Sequence, residues 1–355
     1  MTTRRDFLLT SGSIAAALAL YGGRSVAAGT RTVTLGTGLK AMSPIVINLA
    51  IGEVLGYAKE EGIKLNVLAM GTNASVQVAV DKGDADFGVG VPSFGLPILA
   101  KGDWHTSKNF YEYTYPYKWD IAVLPDSPIQ SYEDLKGKHI GVSDFGATDY
   151  PVTKAVLKML GMDPEKDFKW ISVGNGVQAG VALERKAIDA LAYYDTGFGQ
   201  IEAAKIAFRL LPRPKNLPLV GGQFLETQVR TLQKDKELAV KVGRIVCKSS
   251  QFILANPRAG AEAFLKMYPE TAPRGSDHAT AVAAILLAIG RRLKLYSPPY
   301  AGAKMGSINV QEFKTEAAMH GWDIKDYSAF YTNTLIDEIN DFDIASVQAQ
   351  ARNYR

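Results

Sequence analysis

The chain has 355 residues, with 40 Lys and Arg against 36 Asp and Glu and a formal charge of +4. An apolar share of 47% is enough to bury a core, and 21% charged residues with dispersed glycine and proline exclude a disordered or fibrous chain. A single cysteine excludes an internal disulfide and a multi-thiolate metal site, and the basic excess is too small and too scattered for a nucleic-acid partner.

Residues 1–28 read as a removable export segment. Arg4 and Arg5 open it, and Ile14 to Leu20 is an apolar run shorter than the roughly 20 residues that span a bilayer. Ser25-Val26-Ala27-Ala28 offers small residues for cleavage, and Thr3-Arg4-Arg5-Asp6-Phe7-Leu8-Leu9 resembles a twin-arginine signal. Without Arg4, Arg5, Arg24 and Asp6, 37 basic residues face 35 acidic ones, a charge of +2. Cys247 lies far from the cleavage point, so no thiol stands there to carry a lipid. The expectation is a monomeric periplasmic protein, exported by the twin-arginine route and free of a membrane anchor. Cys247 itself sits in a helical pattern and reads as a buried structural thiol.

The mature chain alternates short apolar runs with helical patterns. A strand is expected over 32–36, a helix over 45–61 stopped by Gly62, and a strand over 64–68. Thr72 or Asn73 caps a helix to Lys82, and 85–90 is a third strand. This βαβαβ order implies a parallel sheet with right-handed crossovers. It then repeats, with strands over 138–142, 168–173 and 190–194 and helices over 150–160 and 177–186. Fifteen positions separate Gly71 from Asp86 and likewise Gly174 from Asp189, which points to two similar lobes. Between the repeats, 111–124 alternates aromatic and polar residues and reads as an extended segment. The proline-rich 212–218 suits a return crossing. The remainder reads as mostly helical, over 234–255, 279–293 and 325–340.

Certain of these stretches resemble a known family. Asp126-Ser127-Pro128-Ile129 followed by Asp134-Leu135-Lys136-Gly137-Lys138-His139-Ile140-Gly141-Val142 is similar to the opening of the second lobe in periplasmic substrate-binding proteins of ATP-binding-cassette importers. Gly83-Asp84-Ala85-Asp86-Phe87-Gly88-Val89-Gly90 and Leu160-Gly161-Met162-Asp163-Pro164 match further scaffold turns. The nearest branch is the one that binds sulfonates, nitrate, taurine and thiamine-pyrimidine precursors. The resemblance covers about residues 31–270. It implies an α/β, periplasmic-binding-protein-like fold of the type II kind, with two lobes, a ligand cleft and two crossing segments. The expected division is 31–121 plus 214–355 for lobe 1 and 122–213 for lobe 2.

On that fold, ligands bind beyond the carboxyl ends of the strands. The candidate binding residues are Leu39, Lys40, Ser43, Thr72, Asn73, Pro92 and Ser93 from lobe 1. Tyr117 and Trp119 come from the crossing, with Asp144, Phe145, Ala147, Thr148, Asn175, Tyr194 and Asp195 from lobe 2. Thr72, Asn73, Ser143 and Thr148 also read as ordinary N-caps, and Asp86 and Asp189 read as turn residues. Tyr113, Tyr115, Tyr117 and Trp119 form an aromatic face suited to a flat ligand. Asp144, Asp149 and Asp195 would suit an amine, and Lys40 would suit an acid group.

Catalytic signatures are missing. No G-x-S-x-G elbow or P-loop occurs, Gly174 to Gly180 misses the dinucleotide spacing, and the four histidines stand singly, without metal-ligand spacing. The cysteine-rich iron motif of the related eukaryotic pyrimidine-precursor synthases is absent as well. The expected function is therefore a receptor with no cofactor, no metal and no chemistry, whose partners are a small organic molecule and an importer permease. The alternative is a dehydratase-like cleft enzyme on the same fold, and a third reading is a sensor that presents ligand to a membrane kinase.

Overall fold

The computed structural model describes residues 30–116 and 119–355, so residues 1–28 and Tyr117 lie outside the described residues. In chain order the strands are β1 (Arg31–Thr37), β2 (Ile63–Ala69), β3 (Phe87–Gly90), β4 (Ser107–Thr114) and β5 (Trp119–Val123). They continue as β6 (His139–Val142), β7 (Lys169–Ser172), β8 (Ala190–Tyr194), β9 (Arg209–Leu210) and β10 (Gln223–Gln228). They form two five-stranded sheets, ordered β2-β1-β3-β10-β4 and β7-β6-β8-β5-β9. Each order reads as second, first and third strand of its own repeat, then a strand lent from across the junction. The lent strands run antiparallel to their neighbours: β10 against β3 and β4, and β5 against β8 and β9. The chain thus crosses between sheets after β4 and again before β10, and the two α/β lobes share one topology.

The repeated spacing has a physical counterpart. Asp86 accepts a 2.8 Å hydrogen bond from the Thr34 amide in β1, and Asp189 accepts one of the same length from the His139 amide in β6. In each lobe this aspartate ties the turn before the third strand to the first strand. Ile63, Leu65 and Val67 of β2 point inward while Lys64, Asn66 and Leu68 face solvent, as a strand covered on one face requires.

The longer helices are α1 (Asn73–Lys82), α2 (Pro92–Ala100), α3 (Asp149–Met159), α4 (Val177–Glu184) and α5 (Asp195–Ala203). After β10 come α6 (Lys236–Ala255), α7 (Pro257–Met267), α8 (His278–Gly290), α9 (Val310–His320) and α10 (Ile344–Asn353). One core joins the first sheet to α6, α7, α8 and α10, and a second fills the other lobe. Met319 of α9 is buried in that second core. Each fully buried Leu, Ile or Phe contributes roughly 1.5–3 kcal/mol, so both lobes have cores of their own. Cys247 is buried in α6, where burial pushes its thiol up to about 12.

Three segments depart from the sequence expectation. The helix expected over 45–61 is broken into Ile47–Ala50 and Tyr57–Glu60. Gly52 lies so close to α6 that a Cβ would sit 2.3 Å from Ile245 Cγ2, and Gly56 turns the chain at φ 88°. The expected closing helix over 325–340 shrinks to Ile336–Ile339, flanked by α9 and α10. There Asp326 accepts from the Ser328 amide and hydroxyl, and Asn333 binds the Ile308 backbone, so polar side chains hold a turn instead of a helix. The loop expected after β3 is the start of α2, with Pro92 at its first position.

Candidate ligand site between the lobes

Short loops at the carboxyl ends of β1, β6 and β7 face one another. On the first lobe, the Gly71 amide donates to the Leu39 carbonyl at 2.7 Å and the Thr37 hydroxyl to the Leu68 carbonyl at 3.0 Å, which fixes the loop after β1. Gly38 has no room for a side chain: a Cβ would lie 2.6 Å from the Asn73 amide. Thr72 caps α1 by accepting from the Ser75 amide. On the second lobe, Gly174 and Gly176 adopt left-handed φ values of 82° and 62° and present Asn175 between them.

These loops enclose an inner cavity of about 50 Å³. That exceeds the roughly 10–15 Å³ a cavity needs to hold a water. Trp119, Tyr113 and Tyr194 form its aromatic side, with the Trp119 and Tyr194 rings 6.5 Å apart and edge to face at 79°. Tyr113 Oη donates to Gln223 Oε1 at 2.9 Å. Asp149 is almost fully buried in the wall, accepting from the Ser143 amide at 2.6 Å and hydroxyl at 2.8 Å. Burial pushes its carboxyl up to about 6 in spite of those two hydrogen bonds. Outward, the cavity shares Leu39, Asn175 and Tyr194 with a groove of about 910 Å³ between the 39–43 loop and α4.

Two polar contacts join the lobes at this site. Lys40 Nζ lies 2.8 Å from Asp144 Oδ2, and Thr148 Oγ1 donates to Asn73 Oδ1 at 3.2 Å. Lys40 and the Gly146 amide hold the Asp144 carboxyl below its usual range. Gly146 backs directly onto Thr72, where a Cβ would come within 3.2 Å.

The expected site residues fall into distinct places. Leu39, Asn73, Trp119, Ala147, Thr148, Asn175 and Tyr194 line the inner cavity, and Lys40 and Ser43 line the outer groove. Asp144 is engaged by Lys40, and Phe145 is exposed beside it, edge-on to Tyr150 at 5.1 Å. Thr72 serves as a cap, while Pro92 and Ser93 are buried at the start of α2 and line neither space. Asp195 is turned away into a buried pair with Arg292, its Oδ2 accepting from Arg292 Nε at 2.7 Å. Gln223, Val89, Ile45 and Val46 line the cavity without having been expected. Gln223 belongs to β10, a strand whose pattern is not distinguishable before its neighbours are known.

Among the described residues, no group of three or more His, Cys, Asp or Glu is placed to hold a metal ion, and no helix is long and apolar enough to cross a membrane.

Known proteins with the same architecture support the assignment of the fold. A protein of Bordetella bronchiseptica RB50 superposes with a TM-score of 0.68 at 22% identity, covering 87% of this chain and 97% of that one. The alkanesulfonate-binding protein SsuA of Xanthomonas axonopodis pv. citri, bound to MOPS, superposes with a TM-score of 0.60 at 20% identity over 83% and 93% of the two chains. In sequence, the 4-amino-5-hydroxymethyl-2-methylpyrimidine phosphate synthase of Legionella pneumophila is 28% identical over 165 residues, 46% of this chain. The chain spans about half of that relative's length, 48%. The model of the NMT1/THI5-like family matches residues 43–260, more than half of the sequence. The chain belongs to the NMT1/THI5-like family.

Proposed function

We propose that this chain is a periplasmic solute receptor that binds a small organic molecule between its lobes and passes it, unaltered, to an importer of the ATP-binding-cassette type. The observation that carries this reading is the cavity itself. It is walled by residues of both lobes and by the strand that joins them, and bridged at its mouth by Lys40–Asp144 and Thr148–Asn73. Two lobes connected by two crossings can open and close over such a space, and a ligand shifts that balance by binding the closed form more tightly. The alkanesulfonate-binding neighbour supports the reading by sharing the fold. Export by the twin-arginine route, through residues 1–28, belongs to the same proposal.

The pyrimidine phosphate synthase relative favours a second reading, in which the cleft performs chemistry. One experiment separates the two. Small molecules released from natively purified protein are identified by mass spectrometry and added back to stripped protein. A receptor returns the molecule unchanged and melts at a higher temperature in its presence. A product of altered mass would overturn the receptor.

A further inference from the structure

The charge of the inner cavity sets what it can accept. Among the described residues, its lining includes no Lys, Arg or His, and Asp149 is the one carboxylate. Of the cations at the lobe junction, Lys40 is engaged by Asp144 at the cleft mouth, Arg292 by Asp195 and Arg291 by Glu202. Among the described residues, no Lys, Arg or His pairs with Asp149, whose polar partners are the Ser143 amide and hydroxyl and the first amides of α3. All of these donors are neutral, so they satisfy the carboxylate oxygens without balancing their charge. Around it stand Trp119, Tyr113 and Tyr194, whose ring faces attract positive charge.

We propose that the cavity selects a ligand carrying a cationic N–H group on a flat or apolar body, with Asp149 as the residue that receives that group. This rests on the receptor reading above. An anionic head group would meet a buried carboxylate with no cation among the described lining residues to offset it, and sulfonates and carboxylates are accordingly disfavoured. A cationic donor would restore to Asp149 the stabilisation that burial removed, so its binding is favoured over that of a neutral molecule of equal shape. A purely structural role for Asp149 at the start of α3 gives no such ranking.

Three probes with one ring and one size isolate the charge: benzamidinium, benzamide and benzoate. Binding to stripped protein at neutral pH is followed by calorimetry and by the melting temperature. The expected order is benzamidinium, then benzamide, then benzoate. Asp149→Asn should weaken benzamidinium by about tenfold, the loss of one charge-assisted hydrogen bond, and leave benzamide nearly unchanged. The ranking on the unmodified protein decides the charge class even if the variant fails to fold. Benzoate binding as tightly as benzamidinium, an unaltered ranking in Asp149→Asn, or no response to any probe would each overturn the proposal. An anion recovered from natively purified protein would overturn the charge assignment and leave the receptor standing. Turnover of a recovered cation would do the reverse.

Discussion

Arg292, wholly buried just beyond α8, holds the carboxylate of Asp195 at the start of α5 through its Nε at 2.7 Å and through a second contact from Nη2. The pair joins the first lobe to the second, as the Lys40–Asp144 contact does. Tyr113 and Tyr296 are close enough to feel the Arg292 charge, so the junction is a polar knot inside an aromatic shell. Removing one member of such a pair leaves a buried charge uncompensated. Asp195→Ala should therefore cost about 3–5 kcal/mol in unfolding free energy, read from denaturant melts, with ligand affinity affected only through stability. A loss below about 1 kcal/mol would show that Arg292 finds another partner.

The same helices meet at Gly199, where a Cβ would lie 2.4 Å from the Leu287 carbonyl oxygen and 2.6 Å from the Ala288 Cα. Both obstacles are backbone, which cannot rotate away as a side chain can. Gly199→Ala should destabilise by roughly 1–3 kcal/mol and loosen the lobe junction, visible as faster amide exchange along α5 and α8. Unchanged exchange would place the junction's rigidity elsewhere.

Lys40 and Asp144 make a different kind of contact. Both side chains are partly exposed, so the pair adds at most about 1 kcal/mol and weakens with salt. Its effect should appear in the opening of the cleft. Lys40→Asp should speed ligand release, and the double exchange Lys40→Asp with Asp144→Lys should restore it. A double variant that releases ligand as fast as the single one would remove the pair from the closing contacts.

Glu226 gives a pH dependence. It lies in β10 beneath α1, fully buried, with neither carboxylate oxygen hydrogen-bonded, and burial together with the Asp81 charge pushes it from 4.5 up to about 8. An acid whose value is raised on folding binds its proton more tightly in the folded state. Its contribution is then fully present below about pH 4.5 and is lost as pH rises towards 8, at about 1.4 kcal/mol per pH unit. Glu226→Gln should match the native protein in denaturant melts near pH 4.5 and exceed it by a growing margin towards pH 8. Parallel stability curves would mean that Glu226 is charged or solvated in the folded state.

Much of the scaffold was legible in the sequence because its causes are local. The strand at 32–36, the cap at Thr72 or Asn73 and the helix end at Lys82 all follow from neighbouring residues, and the matched Asp86 and Asp189 were readable from spacing alone. What escaped was set by distant partners. The break near Gly52 is imposed by Ile245 in α6, and β10 exists because β3 and β4 leave a gap between them. The charged candidates show this most clearly. Lys40, Asp144 and Asp195 looked alike as loop charges, yet two of them hold each other and the third holds Arg292, 97 positions away. Asp149 has no such cation among the described residues, and only its surroundings reveal that.

The most direct measurement is a crystal structure of the natively purified protein with the small molecule it retains. The molecule should lie between the lobes against Trp119 and Asp149, chemically intact, with Lys40 and Asp144 in contact over it. A molecule seated outside the cleft, or found there as an altered product, would contradict the solute-receptor account.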